Sequence, residues 1–559
     1  MTSFARRLNL ALARLAASRP RSAGLGVGLL VALLALAAFL PAFTSLPPVD
    51  RDEARFAQAS KQMAETGDLV DIRFQDRPRY KKPVGIYWLQ SAAVEASGGL
   101  QTLQIWHYRL PSLLAAVLAA VLTASIAAGF GGATAGLAAG IPMAGMFLLG
   151  VEAHLATTDA VLLLTVLAAQ WVLAPLYRVA REQGFAPPPP LGWGRVALFW
   201  GAVAFGTLVK GPIGPGVVAL TVLALALGHR RWRWLGALRP KAGLVLFAAL
   251  VLPWFLAITW RSGLGFWQAA VGHDLLGKVA EAQESHGAPP GSYLAALWLT
   301  FQPAAIALGL TLPAIWAARR RPGVTFAMAW AIPGWLIFEA ASTKLVHYVL
   351  PFYPALALAM ALVWAESAAR PLAGARRVWF YVLAVLPVLM LAVAGGYVIS
   401  MGGRPVLPLV LGLAAVAAGL GLAHAALRAG LPLAALVGLW LTGAGVTGGI
   451  LSSVAATPAL WPAKAIVALL PVEPSCRRIT LYESGYGEPS LVFLAPGPVV
   501  SLAPAQAAAK LAKDRCSAAV VPDAKATAML GAKRLGTVTG LDLGTGRPVD
   551  LAVFGPGRK

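Results

Sequence analysis

Apolar residues in this chain do not alternate with polar ones in the period-two pattern of a half-buried strand. They run on in long blocks. A helix needs roughly 20 mostly apolar residues to cross a bilayer. About thirteen such segments can be read, near 24–43, 108–128, 133–152, 157–177, 196–211, 212–228, 242–260, 292–316, 324–341, 345–365, 378–400, 406–427 and 432–453. The fifth and sixth are short and nearly continuous. After 455 the blocks give way to a mixed pattern. The chain therefore divides into a polytopic α-helical membrane domain, 1–455, and a small α/β domain, 456–559. In the latter, 477–484, 490–494 and 517–522 read as strands, 504–515 and 524–533 as helices, and the end as a hairpin. Between the first two spans lies a long polar loop, 44–107. Its residues 50–65 predict a helix lying along the membrane, with Phe56, Ala59, Ser60 and Met63 forming a weak apolar stripe.

Composition sharpens this picture. Of 559 residues, 58% are hydrophobic and only 12% charged, with two cysteines. Those values exclude a disordered chain, a disulfide-knit scaffold and an ordinary soluble enzyme. The net charge of +23 would suggest nucleic acid were it not for where the charges fall. Five arginines precede the first apolar run, which is longer than the roughly 7–15-residue core of a signal peptide. It reads as a retained helix that starts in the cytoplasm. Counting loops from there, the inner segments hold 20 of the 46 Lys and Arg but only two of the 23 acids. That asymmetry is an orientation signal. Nucleic-acid binding would instead need basic residues clustered with aromatics. Thirteen crossings put the C-terminal domain outside, where an oxidising periplasm would let Cys476 and Cys516 pair.

The outer loops carry the unusual chemistry. Asp50, Asp52, Glu53 and Arg55 open the first loop, and Arg79, Tyr80, Lys81 and Lys82 follow in it. Glu152, His154 and Asp159 lie between the third and fourth spans, and Lys210 at the next outer turn. His273 and His286 share a later loop, and Lys344, His347 and Tyr348 precede the tenth span. Ionisable groups cost about 2.5–3.5 kcal/mol near a bilayer centre on insertion scales, so several converging on one face suggest a site. Ordinary roles are open to each. Asp50 and Glu53 fit a capping box, Asp52 and Arg55 a surface ion pair, and Asp159 a helix cap. Lys210 and Lys344 could snorkel to the interface. No His-x3-His or Cys-x2-Cys spacing and no phosphate-binding glycine loop is present.

In order, these motifs resemble the polyprenyl-phosphate-sugar-dependent glycosyltransferases of the membrane C-type superfold. They are similar above all to bacterial lipid A aminoarabinose transferases, and more distantly to protein O-mannosyltransferases. The resemblance rests on Asp52-Glu53-Ala54-Arg55-Phe56-Ala57, Gly67-Asp68, Tyr80-Lys81-Lys82-Pro83, Thr158-Asp159, Lys210-Gly211-Pro212, Pro253-Trp254 and the run from Lys344 to Pro351. The C-terminal domain matches only through Tyr486 to Leu491.

This resemblance implies an outer cavity with Asp52 as principal carboxylate and Asp159 as its support. Arg55, Lys82, Lys210 and Tyr348 would bind the lipid-linked phosphate, with Tyr80, His273 and Lys344 in the same binding set. Glu53, Lys81, His347 and Glu488 would assist. Relatives carry an acid where this chain has Lys81, which could pair with the histidine matching His273 to hold a divalent metal. Lys81 makes such a metal doubtful, and no cofactor is certain.

The expected partners are a polyprenyl-phosphate-linked sugar, an envelope acceptor such as lipid A, and membrane lipids, without nucleic acid. A protein O-mannosyltransferase differs only in acceptor. A transporter or flippase would put polar groups near the midplane in repeated, broken helices. Neither an internal repeat nor midplane charges can be read here.

Overall fold

The computed structural model describes residues 2–277, 287–470, 476 and 478–557. His286 lies outside the described residues. An amphipathic helix α1 (Thr2–Ala16) precedes the first apolar helix α2 (Pro20–Phe39). In α1, Asn9 accepts hydrogen bonds through Oδ1 from the backbone N–H groups of Leu433 and Ala434, at 2.9 and 3.3 Å. That satisfies two of the orphan donors at the start of the helix Pro432–Ala455.

The first loop holds α3 (Asp52–Thr66), a two-residue hairpin of β1 (Arg73–Phe74) and β2 (Arg77–Pro78), and α4 (Gly85–Ala96). Six further helices follow. These are α5 (Trp106–Ala144), α6 (Phe147–Ala153), α7 (Asp159–Glu182), α8 (Trp193–Lys210), α9 (Ile213–His229) and α10 (Pro240–Ser262).

All thirteen apolar segments fall on helices, but they are not thirteen equal helices. Among the described residues, nine helices are long and apolar enough to cross a membrane. The chain is thus a multi-span membrane protein. The remaining segments fall short for local reasons. The second and third expected spans merge into α5, which breaks at Gly131 and Gly132, the latter with φ +74°. The eighth is cut between Ser292–Thr300 and Ala304–Ala317, where Pro303 has no N–H to continue a helix. α8 carries Arg195 and Lys210 at its ends, and α9 has only 17 residues. The last two helices, Val406–Arg428 and Pro432–Ala455, approach very closely. A Cβ at Gly438 would lie 2.6 Å from the carbonyl oxygen of Gly419, as small residues at membrane helix contacts permit.

The C-terminal part forms a five-stranded sheet in the order β4-β3-β5-β7-β6. Its strands are β3 (Thr480–Glu483), β4 (Val499–Ser501), β5 (Ser517–Pro522), β6 (Lys533–Asp542) and β7 (Arg547–Gly555). β3 pairs parallel with β4 and β5, whereas β6 and β7 form the expected hairpin. Segment 490–494 corrects the sequence expectation. It is part of a helix, Pro489–Leu494, not a strand. Pro489 suits the first helical turn, and a short apolar run cannot separate the two states by periodicity. The true edge strand β4 comes later. Segment 524–533 gives only a 3-10 helix, Asp523–Ala528, before β6 begins at Lys533. Cys476 and Cys516 are disulfide-bonded.

Helix Pro489–Leu494 packs on the first loop. The Phe493 ring meets Tyr108 edge-on at 5.3 Å, and the backbone N–H of Ser490 donates to Asp50 Oδ1 at 2.9 Å.

Candidate active site

Asp52 and Glu53 are adjacent in sequence and have opposite surroundings. α3 begins at Asp52, directly after Arg51, whose φ of +67° is unusual for a non-glycine residue. The turn sends the Glu53 side chain inward and leaves that of Asp52 66% exposed. Glu53 is saturated. Its Oε1 accepts from Arg109 Nε at 2.7 Å and from the backbone N–H of Ala156 at 2.8 Å. Oε2 accepts from Arg109 Nη2 and from the Val49 N–H, both at 2.8 Å. Arg109 spends its remaining donors on the carbonyls of Leu46 and Pro47, at 2.7 and 3.0 Å.

The capping box expected between Asp50 and Glu53 is therefore replaced by a buried clamp. It ties the approach to α3, helix α5 and the loop before α7 into one body. Asp50 turns instead to Ser490. Nor does Asp52 pair with Arg55: its nearest cation is Arg79 Nη2 at 3.9 Å, and Arg79 lies 4.9 Å over the Phe56 ring.

A second buried group forms where α7, α8 and the segment before helix Tyr353–Ala368 meet. Lys210, at the end of α8, donates to Asp159 Oδ1 at 2.6 Å. Thr158 Oγ1 donates to Asp159 Oδ2 at 3.1 Å. The Lys210 ammonium also lies 5.1 Å over the Tyr348 ring. Neither capping by Asp159 nor snorkelling by Lys210 describes this pair. His347 bridges outward, with Nε2 4.0 Å from Asp159 Oδ2 and Nδ1 3.7 Å from Glu152 Oε1. Glu152 is buried and accepts from Thr157 Oγ1 at 3.1 Å.

Two chambers meet at this cluster. One has a volume of about 420 Å³ and a mostly apolar wall that includes Phe255, Phe266, Trp267 and Phe338. It shares Pro215 and Phe247 with a further apolar groove of about 380 Å³ between α8, α9 and α10. Most side chains of α10 are exposed or half-buried, so the groove is walled by a helix that faces the lipid. The other chamber, of about 230 Å³, is polar and is lined by Asp52, Arg79, Glu152 and His347 among others. Lys81, Lys82, Asp159, Lys210 and Tyr348 line both chambers and form the wall between them.

Eleven of the residues singled out in the sequence are thus brought together: Asp50, Asp52, Glu53, Arg79, Lys81, Lys82, Glu152, Asp159, Lys210, His347 and Tyr348. Tyr80, Lys344, His273, Arg55 and Glu488 lie outside both chambers. Tyr80 donates to Asp71 Oδ1 at 2.7 Å, and burial with that carboxylate pushes its phenol up to about 12. Lys344 donates to the carbonyls of Ala288 and Ala341 at 2.9 and 2.6 Å. His273 is exposed on the π-helical turn Gln268–Leu276. Arg55 faces Asp50. Glu488 sits where the sheet domain meets the first loop. Burial and the nearby Asp50 and Asp542 push its carboxyl up to about 7, against the opposing pull of Arg51. Among the described residues, no group of three or more His, Cys, Asp or Glu side chains converges as a metal site.

Arg79, Arg109 and Glu152 carry contacts that the sequence reading did not assign. Arg79 stood inside the basic run before Pro83. Glu152 stood at the outer end of the third expected span. Arg109 gave no signal apart from being a cation in an apolar segment.

The chain is similar to known proteins in sequence and in fold. A family model described as dolichyl-phosphate-mannose-protein mannosyltransferase matches residues 81–257, from Lys81 past Lys210. The undecaprenyl phosphate-alpha-4-amino-4-deoxy-L-arabinose arabinosyl transferase of Pectobacterium carotovorum is 29% identical over 340 residues, 56% of this chain and 54% of that protein. The Yersinia pestis transferase of the same name is 27% identical over 317 residues, again 56% and 54%. The chain spans about half the length of the curated relatives it matches. The crystal structure of ArnT from Cupriavidus metallidurans bound to undecaprenyl phosphate superposes with a TM-score of 0.71 at 20% identity, covering 94% of this chain and 97% of ArnT. The fold is that of ArnT. The apo form of ArnT agrees, with a TM-score of 0.69 over 95% and 98% of the two chains. The expected C-type glycosyltransferase architecture and the resemblance to aminoarabinose transferases are both met.

Proposed function

We propose that the chain is an inverting glycosyltransferase. It moves a sugar from a polyprenyl-monophosphate carrier to an envelope lipid such as lipid A, at the periplasmic face of the bacterial inner membrane. The carrying observation is the wall shared by the two chambers, with Lys82, Lys210, Asp159 and Tyr348 on it. An amphiphile with a long apolar tail, one phosphate and a polar sugar has the same three parts in the same order.

In this reading the prenyl tail lies in the apolar chamber and the groove beyond it. The phosphate sits against Lys82 and Lys210, and the sugar projects toward Asp52. As the glycosidic C–O bond breaks, its electron pair passes to the phosphate oxygen, and the lysines stabilise the growing charge. Asp159 holds Lys210 in place. The acceptor oxygen bonds to the anomeric carbon from the face opposite the leaving phosphate, while Asp52 takes the proton from an acceptor hydroxyl, or orients the acceptor when that is already a phosphate oxyanion. Arg79, 3.9 Å away, orients Asp52. The donor class is supported by the relatives, which are undecaprenyl phosphate-aminoarabinose transferases, and by the ArnT structure bound to undecaprenyl phosphate.

The N-terminus and the basic loops, including 230–241, would be cytoplasmic and the sheet domain (456–559) periplasmic. A cysteine introduced into 230–241 should then resist an impermeant thiol reagent applied from outside; labelling would overturn the orientation. For the reaction, the purified protein in vesicles is given undecaprenyl-phosphate-linked aminoarabinose and lipid A. Mass spectrometry should find lipid A heavier by one sugar. Glycosylated peptide without modified lipid A would make it a protein glycosyltransferase. Transfer from no polyprenyl-phosphate sugar would overturn the proposal.

A further inference from the structure

Away from both chambers, a crevice of about 210 Å³ lies between α5, α7 and α8. α7 contributes Trp171, Ala174, Pro175 and Arg178, the i, i+3, i+4, i+7 set of one helix face. That face runs about 10 Å along the helix. α5 supplies Ile126 and Phe130 opposite it. The polar groups in this wall are spent on each other, since Trp171 Nε1 donates to Ser125 Oγ at 2.8 Å. The crevice is thus an apolar slot along the spans, and it ends at two guanidiniums, Arg178 and Arg195.

Several neighbouring arginines are already engaged. Arg181 donates to Tyr177, Thr325 and the Arg320 carbonyl, Arg239 stacks on Trp193, and Arg321 pairs with Glu366. Among the described residues, neither Arg178 nor Arg195 meets a carboxylate. Arg195 also stands in the first turn of α8, where the helix dipole disfavours a cation. That helix starts at Gly192 without a side-chain cap. Two exposed guanidiniums lining one crevice can hold an anion. An apolar slot leading straight from it fits one class of ligand.

We propose that this crevice seats one acyl chain of an anionic glycerophospholipid, with the headgroup phosphate held by Arg178 and Arg195. Basic pockets between spans at the cytoplasmic surface bind such headgroups. The site is separate from the proposed donor site and does not depend on the glycosyltransferase reading.

Native mass spectrometry of the whole purified protein, titrated with phosphatidylglycerol or phosphatidylethanolamine, tests it. Wild type should take up a first phosphatidylglycerol at a lower concentration than phosphatidylethanolamine. The double variant Arg178→Ala, Arg195→Ala should weaken that first event by roughly ten- to thirtyfold and weaken phosphatidylethanolamine binding less, because the ammonium of that headgroup already offsets its phosphate. Gly129→Leu tests the slot, because a Cβ at Gly129 meets nothing within 4 Å and the longer side chain would fill the crevice. It should abolish the first binding event for both lipids while the melting temperature stays within about 2 °C of wild type. Equal affinity for the two lipids in wild type, or unchanged phosphatidylglycerol binding in the double arginine variant, would overturn the proposal. Unchanged binding in Gly129→Leu would remove the acyl slot from it.

Discussion

Two buried ion pairs, Glu53–Arg109 and Asp159–Lys210, look alike in distance and burial. They differ in what surrounds them. Every oxygen and nearly every N–H of the first pair is matched by a partner, and four of those partners are backbone groups. The second pair has spare chemistry beside it. Glu152 and His347 lie within reach, the Lys210 ammonium is held by one carboxylate and a ring face, and the whole group borders both chambers. A saturated pair fixes shape. An incompletely saturated pair at a cavity wall can exchange partners with a substrate.

This contrast can be broken by substitution. The largest effect is expected from Arg109→Ala, which strands the Glu53 charge and the carbonyls of Leu46 and Pro47. Removing one partner of a buried pair costs about 3–5 kcal/mol. The yield of folded protein should collapse, as read by size-exclusion chromatography in detergent. Asp159→Asn should do the reverse. Lys210 also faces Glu152, so the fold should survive with a near-normal melting temperature while sugar transfer falls about 10²–10³-fold. Equal loss of fold in both variants would erase the distinction.

Lys82→Ala should act on one side of the wall only. It should raise the KM for the polyprenyl-phosphate donor by about tenfold and leave that for the acceptor unchanged, as steady-state kinetics would show. The smallest effect concerns Glu488. An unfolded glutamate titrates near 4.3, whereas burial, Asp50 and Asp542 hold this one up to about 7. The folded protein therefore keeps a proton that the unfolded chain loses. The stability from this group is full below about pH 4.3 and is lost as pH rises through about 7. Glu488→Gln should raise the melting temperature at pH 8, by an amount of order 1 °C, and leave it unchanged at pH 4. A gain at pH 4 would point to another cause.

The membrane architecture was legible because lipid imposes a length and a composition on every span. All thirteen blocks fall on helices, and the merged and the cut ones trace to Gly131-Gly132 and Pro303. The candidate carboxylates were legible because acids at span ends are rare. Their roles were not. Glu53 offered a local partner in the capping-box pattern, yet its true partner, Arg109, is 56 residues away. Sequence spacing reports neighbours on one helix and is silent about side chains meeting across three segments. The same limit explains Tyr80 and Lys344, which stand in the right motifs and face away from the chambers. The run 490–494 failed differently, because five apolar residues after Pro489 fit a strand and a helix turn equally well.

The groove behind the apolar chamber has a kinetic consequence. If a donor's tail stays among lipid-facing helices throughout, the enzyme meets it by lateral diffusion in two dimensions. Its rate in vesicles would then follow the mole fraction of donor in the bilayer rather than moles per litre of suspension. Adding empty lipid would slow the reaction at constant total donor, and diluting the suspension with buffer would not.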